Sequence, residues 1–137
     1  MMTKTRIYLF LSLALLLMAV SCGKKKADSN LPAKLVFEQT DLDLGTIYYE
    51  DGPLDLQYTI RNDGGQYLYL VDVVSTCDCT TPEFNHDNLY GGDAQTIKVT
   101  FNPQEVPEGD FERMIGVFTN LTKRPDTLYF HGVVKHK

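Results

Sequence analysis

The 137-residue chain has room for one ordinary domain and not for two. Its 43% hydrophobic and 23% charged residues are usual for a globular protein, which argues against wholesale disorder and against a multispan membrane protein. The net charge of −5 is unevenly spread: Lys4, Arg6, Lys24, Lys25 and Lys26 precede residue 27, while Lys34 to Lys137 holds 8 basic and 17 acidic residues, net −9. An acidic domain with no basic stripe is repelled by phosphate backbones, so nucleic-acid binding is not expected.

The chain opens with Lys4 and Arg6 and no acid, followed by an unbroken run of 14 apolar or small residues over 7–20. That is the basic head and apolar body of a signal peptide. A membrane-spanning helix needs about 20 apolar residues, and this run is shorter. Ala19-Val20-Ser21-Cys22 resembles the lipobox of bacterial lipoproteins, in which small residues let a peptidase reach the bond before a lipidated Cys. Ala19 stands where such motifs usually carry Leu. The resemblance implies a signal peptide over 1–21, lipidation at Cys22 and a membrane held through its acyl chains, which anchor stably when there are two or more. Residues 22–33 then read as a lipidated Cys and a flexible polar tether, and 34–137 as the folded domain. Lys24, Lys25 and Lys26 replace the acidic cluster that sends some lipoproteins to the cell surface. The expected location is therefore the cell envelope, facing the periplasm in preference to surface display.

From Lys34 onward no window holds a helical repeat, and short alternating segments recur between turn signals. Residues 35–38 and 45–49 open the series. Leu54, Leu56, Tyr58 and Ile60 alternate with polar neighbours, and Asn62-Asp63-Gly64-Gly65 closes that strand with a turn. In the next strand, 66–76, the buried set changes parity from Leu68 and Leu70 to Val71 and Val73, which predicts a β-bulge near Val71. Residues 82–93 read as loop, Ile97, Val99 and Phe101 mark a strand, and 102–110 read as loop. Ile115 and Val117 mark a sixth strand. Residues 126–134 form a seventh, with Leu128 and Phe130 inward and Tyr129 and His131 outward. Seven short strands in about 100 residues predict an all-β immunoglobulin-like sandwich.

Several of these segments together resemble a bacterial family of uncharacterised periplasmic and lipoprotein domains (domain of unknown function 1573), related to hydin-like and major-sperm-protein-like immunoglobulin folds. The resemblance is carried by Asp43-Leu44-Gly45-Thr46-Ile47, Tyr58-Thr59-Ile60-Arg61-Asn62-Asp63-Gly64 and, most specifically, Ser75-Thr76-Cys77-Asp78-Cys79-Thr80. Ile97 to Phe101, Val117 to Asn120 and Leu128 to Gly132 complete it, so that it spans about Val36 to Val134. It implies a fold and a compartment and no established activity. Asp78 stands where the family carries Gly, which argues against a backbone conformation there that only Gly tolerates.

Cys77 and Cys79 admit three readings. On an extended strand their Cα atoms would lie about 6.7 Å apart, at the upper edge of disulfide geometry, so a disulfide needs a local kink. Its three-residue loop would contribute roughly 1.6 kcal/mol by chain entropy, a poor stability device and a plausible redox element in an oxidising compartment. Alternatively, two thiolates on one face could clip copper or help hold zinc. His86 is then the first further ligand to consider, ahead of Asp87, His131 and His136. Third, the pair packs as small hydrophobes at a strand end. No nucleophile, base and acid stand in motif spacing, and no phosphate loop is present. The resulting expectation is a non-enzymatic, membrane-anchored module that binds or scaffolds an envelope protein, with thiol–disulfide or copper and zinc handling at Cys77 and Cys79 as the alternative. An exposed edge strand at 45–49 or 126–134 would offer the partner a route by strand addition.

Overall fold

The computed structural model describes residues 30–137; the expected signal peptide, Cys22 and the expected tether up to residue 29 lie outside the described residues. Eight strands run in chain order: β1 (Leu35–Phe37), β2 (Asp41–Tyr48), β3 (Leu54–Asn62), β4 (Leu70–Ser75), β5 (Thr80–Glu83), β6 (Ala94–Phe101), β7 (Gly109–Thr119) and β8 (Asp126–Lys135). They form two four-stranded sheets, ordered β1-β3-β6-β5 and β2-β8-β7-β4. The first sheet is antiparallel throughout. In the second, β2 runs parallel to β8 while the other pairs are antiparallel.

The chain changes sheets at every connection except those from β5 to β6 and from β7 to β8, and the crossing from β4 to β5 runs through the segment containing Cys77 and Cys79. Alternation supplies the core. Leu56, Tyr58 and Ile60 of β3 and Ile97, Val99 and Phe101 of β6 face Ile115 and Val117 of β7 and Leu128 and Phe130 of β8. Fully burying each such side chain stabilises the fold by about 1.5–3 kcal/mol. Phe101 lies 5.0 Å from Phe111 and 5.1 Å from Phe130, ring centre to ring centre, tying the sheets together at one end. The completely buried Tyr58 crosses the sandwich, its hydroxyl donating to the Tyr129 carbonyl at 2.7 Å. Burial, with a smaller contribution from the Asp41 carboxylate, pushes that hydroxyl's pKa far above the ordinary tyrosine value.

Four expectations need correction. Thr80–Glu83 is a strand, although residues 82–93 were expected to be loop; β5 is an edge strand, where the missing N–H of Pro82 need cost no ladder bond. β7 begins at Gly109, inside the segment expected to be loop through residue 110, and Phe111 and Arg113 hold the inward parity of Ile115 and Val117. The bulge near Val71 is present as a register shift between Leu70 and Asp72, but Val71 itself is 49% exposed and Val73 takes the buried place. Lastly, β8 is flanked by β2 and β7, so 126–134 is no edge.

The N-terminal approach is fastened as well. The Leu31 and Pro32 carbonyls accept from the amides of Gln66 and Gly65 at 2.9 and 3.2 Å, so the chain is tied to the sandwich just before β1. This junction is organised by Asn62, which occupies the next inward slot of β3 and is completely buried. Its side chain donates to the carbonyls of Gln66 (2.7 Å) and Leu89 (2.8 Å) and accepts from the amides of Lys34 (3.0 Å) and Gly64 (2.9 Å).

Candidate functional site: a disulfide turn and an acidic groove

The segment from Ser75 to Thr80 leaves the last residue of β4 and reverses toward β5. The Thr80 amide donates to the Cys77 carbonyl at 3.2 Å, closing a β-turn whose ends are Cys77 and Thr80. Ser75 Oγ accepts from the Cys77 amide at 3.1 Å, a local turn of the kind Ser favours. The Asn102 amide donates to the Cys79 carbonyl at 2.9 Å, fixing the far side. This turn provides the kink that an extended Cys-x-Cys lacks: the Cα atoms are 5.2 Å apart and a disulfide joins Cys77 to Cys79. Asp78, at the exposed tip, is accommodated because no described residue other than glycine has a positive φ.

The two sulfurs have different surroundings. Cys79 is buried, 3% exposed, whereas Cys77 is half-buried. Arg113 of β7 reaches from an inward slot to place its Nε 3.5 Å from Cys79 Sγ. Its guanidinium carbon also lies 5.8 Å from the centre of the Phe111 ring, and Nη1 donates to the Glu112 carbonyl at 2.8 Å. The Thr80 hydroxyl is 3.5 Å from Cys79 Sγ, and the Cys79 amide donates to Cys77 Sγ at 3.1 Å. Arg113 was not singled out from the sequence, although one signal was available: a charged residue in the inward parity of Phe111, Ile115 and Val117.

The structure does not join His86 to this pair by any described contact. Its Nδ1 lies 2.9 Å from the Leu70 carbonyl and its ring meets Phe84 edge-on at 5.0 Å. Among the described residues no group of three or more His, Cys, Asp or Glu is placed to hold a metal ion, and the cysteine sulfurs are bonded to each other. His131 faces Asp41 and Asp43, while His136 faces Glu50.

A second feature lies along β2. The register between β2 and β8 slips between Asp43 and Thr46, where Gly45 has φ +62°. Beside this bulge, Gly132 of β8 has no room for a side chain. A Cβ there would lie 2.7 Å from the Gly45 carbonyl and 3.3 Å from the Phe111 ring. The bulge opens a groove of about 680 Å³ bordered by Asp41, Asp43, Asp110, Glu112 and His131, with Phe111 also lining it. His131 Nε2 is 3.6 Å from Asp41 and its Nδ1 is 3.8 Å from Asp43. Four carboxylates against one imidazole make the groove a region of negative potential. β2 is an outer strand of its sheet, with β8 on one side and no strand on the other among the described residues.

Comparisons with known proteins agree with the fold. A family model described as a protein of unknown function, DUF1573, matches residues 35–134. A structure of a protein of unknown function from Porphyromonas gingivalis W83 superposes with a TM-score of 0.63 at 17% identity, covering 74% of this chain and 46% of that one. The chain thus spans under half the length of that relative. The seventh PapD-like (ASH) domain of human CEP192 superposes with a TM-score of 0.60 at 15% identity, covering 88% of this chain and 98% of the domain. Part of the Vibrio cholerae VesB protease gives 0.53 at 11% identity, over 74% of this chain and 31% of that one. At these identities the likeness is one of fold, an immunoglobulin-like sandwich. No curated protein matches the chain.

Proposed function

The chain belongs to the DUF1573 family of proteins of unknown function, and from its own residues we propose that it is a lipid-anchored, non-enzymatic module of the bacterial cell envelope that docks a basic, extended segment of another envelope protein. The carrying observation is the groove beside β2, where Asp41, Asp43, Asp110 and Glu112 border a space with Phe111 in its lining. Charge complementarity selects Lys- or Arg-bearing segments and speeds their encounter. Continuous strand addition along β2 is disfavoured by the bulge at Gly45, which twists and interrupts the edge. Recognition therefore runs through side chains in the groove. The lipid anchor at Cys22, following the apolar run 7–20, keeps the module at the membrane where such partners are presented.

The test is a photo-crosslinking amino acid at Thr46 in intact cells, with one at Lys123 as control. Support is a reproducible adduct at Thr46 alone that maps to a basic peptide and disappears when Asp41, Asp43, Asp110 and Glu112 are all made amides. Adducts that survive this neutralisation, or equal capture at Lys123, would refute the docking reading. For the anchor, Cys22→Ser is expected to abolish fatty-acid labelling and move the protein from the membrane to the soluble fraction. Retention of both would overturn lipidation at Cys22.

A further inference from the structure

We propose that the Cys77–Cys79 disulfide is a reversible thiol–disulfide exchange site with a fixed polarity, attacked at Cys77 and releasing Cys79 as a thiolate beside Arg113. Its natural co-reactant is a dithiol of the envelope. The inference does not rest on the docking reading, since it uses none of the groove's carboxylates.

Three observations assign the polarity. Cys77 is the half-buried partner and Cys79 is buried, so an incoming thiolate reaches the Cys77 sulfur first. The group that leaves must carry negative charge, and the Cys79 sulfur has the Arg113 Nε at 3.5 Å and the Thr80 hydroxyl at 3.5 Å to receive it. The turn, finally, is held by bonds that do not depend on the S–S link. These are Thr80 amide to Cys77 carbonyl, Cys77 amide to Ser75 Oγ, and Asn102 amide to Cys79 carbonyl. The reduced cysteines would then remain neighbours, poised to close again.

The exchange balances as follows. One thiolate of the dithiol attacks Cys77 Sγ, forming a mixed disulfide as the Cys77–Cys79 bond breaks and Cys79 departs with the electron pair. The second thiolate of the dithiol then attacks its own sulfur in the mixed disulfide and expels Cys77 as a thiolate. The dithiol has become a disulfide, two electrons have passed to the pair, and the two protons it lost protonate Cys77 and Cys79. Reversal by a disulfide of higher potential restores the bond.

The experiment uses the full chain carrying Cys22→Ser, so that only Cys77 and Cys79 report. The oxidised protein is mixed with glutathione under native conditions, quenched in acid, denatured and alkylated, and the peptide is mapped. Reduction by dithiothreitol is timed in parallel. The expected results are glutathione on Cys77 with the alkyl group on Cys79, and dithiothreitol reduction much faster than global unfolding. Loss of the charge-assisted hydrogen bond in Arg113→Met should slow reduction by about 10-fold or more, with partial recovery in Arg113→Lys. Glutathione on Cys79, reduction only at the rate of unfolding, or an unchanged rate in folded Arg113→Met would each overturn the proposal. If Arg113→Met does not fold, the wild-type peptide map and Thr80→Val, expected to slow reduction severalfold, decide it on the same criteria.

Discussion

The junction at Asn62 and the turn at Cys77–Thr80 both follow a strand, both were marked by the sequence, and they are built on opposite principles. At the junction one completely buried amide makes four hydrogen bonds and holds β3, the N-terminal approach and the Leu89 segment together. At the turn, a covalent bond closes only three residues, and backbone bonds from Thr80 and Asn102 already hold its shape. Removing Asn62 strands buried donors and acceptors, whereas removing the disulfide leaves a turn that is still bonded. The stronger bond is therefore the less structural one, which leaves it free for chemistry.

The contrast breaks most readily at Asn62. Replacing Asn62 by Ala should lower unfolding free energy by about 3–5 kcal/mol, read from the urea midpoint, because several buried backbone groups lose their partners at once. A loss under 1 kcal/mol would show that the junction is not organised as described. Gly64→Ala is expected to cost about 1–3 kcal/mol. Its Cβ would fall 2.6 Å from Ala33 Cα and Lys34 N, forcing residues 31–34 off the turn. The amides of Asp63, Gly65 and Gln66, which donate to the Lys34, Pro32 and Leu31 carbonyls, should lose hydrogen-exchange protection while β7 amides keep theirs. Replacing Cys77 and Cys79 together by Ser should cost no more than about 1.6 kcal/mol, the chain-entropy value of a three-residue loop. If that variant were as destabilised as Asn62→Ala, the comparison would fail.

The smallest effect is at Tyr58. Tyr58→Phe removes one hydrogen bond between the sheets and should cost about 1 kcal/mol at neutral pH. Its folded-state pKa is raised, so above the unfolded value of about 10 the unfolded chain binds fewer protons than the folded one and stability falls as pH rises. The Phe variant should show a shallower alkaline decline, measured by urea titrations from pH 9 to 11. Equal slopes would mean that Tyr58 does not titrate this way.

Much of the sandwich was legible in single strands. The alternations of Leu56, Tyr58 and Ile60 and of Ile97, Val99 and Phe101 gave the inward faces directly, since a side chain every second residue points to one side. The parity change ahead of Val73 exposed the bulge. Misreadings came where local chemistry and position disagree: Pro82 is a strand breaker in isolation and tolerated at an edge, and β8 carries no mark of being central. Of the candidate site, the cysteines were visible and Arg113 was not. Arg113 and Asn62 share a signal that went unused, a polar residue in an inward slot of an alternating strand.

The sequence by itself determined the class of fold, most inward faces, the turn that closes β3 and the Cys-x-Cys element, because periodicity and turn chemistry are local properties of the chain. Only the tertiary structure decided which strands are edges, that β2 runs parallel to β8, that Arg113 meets Cys79, and that four carboxylates from β2 and β7 converge on one groove. These depend on pairings between residues far apart in the chain, and each pairing is selected by the packing of the whole core rather than by the residues that happen to meet.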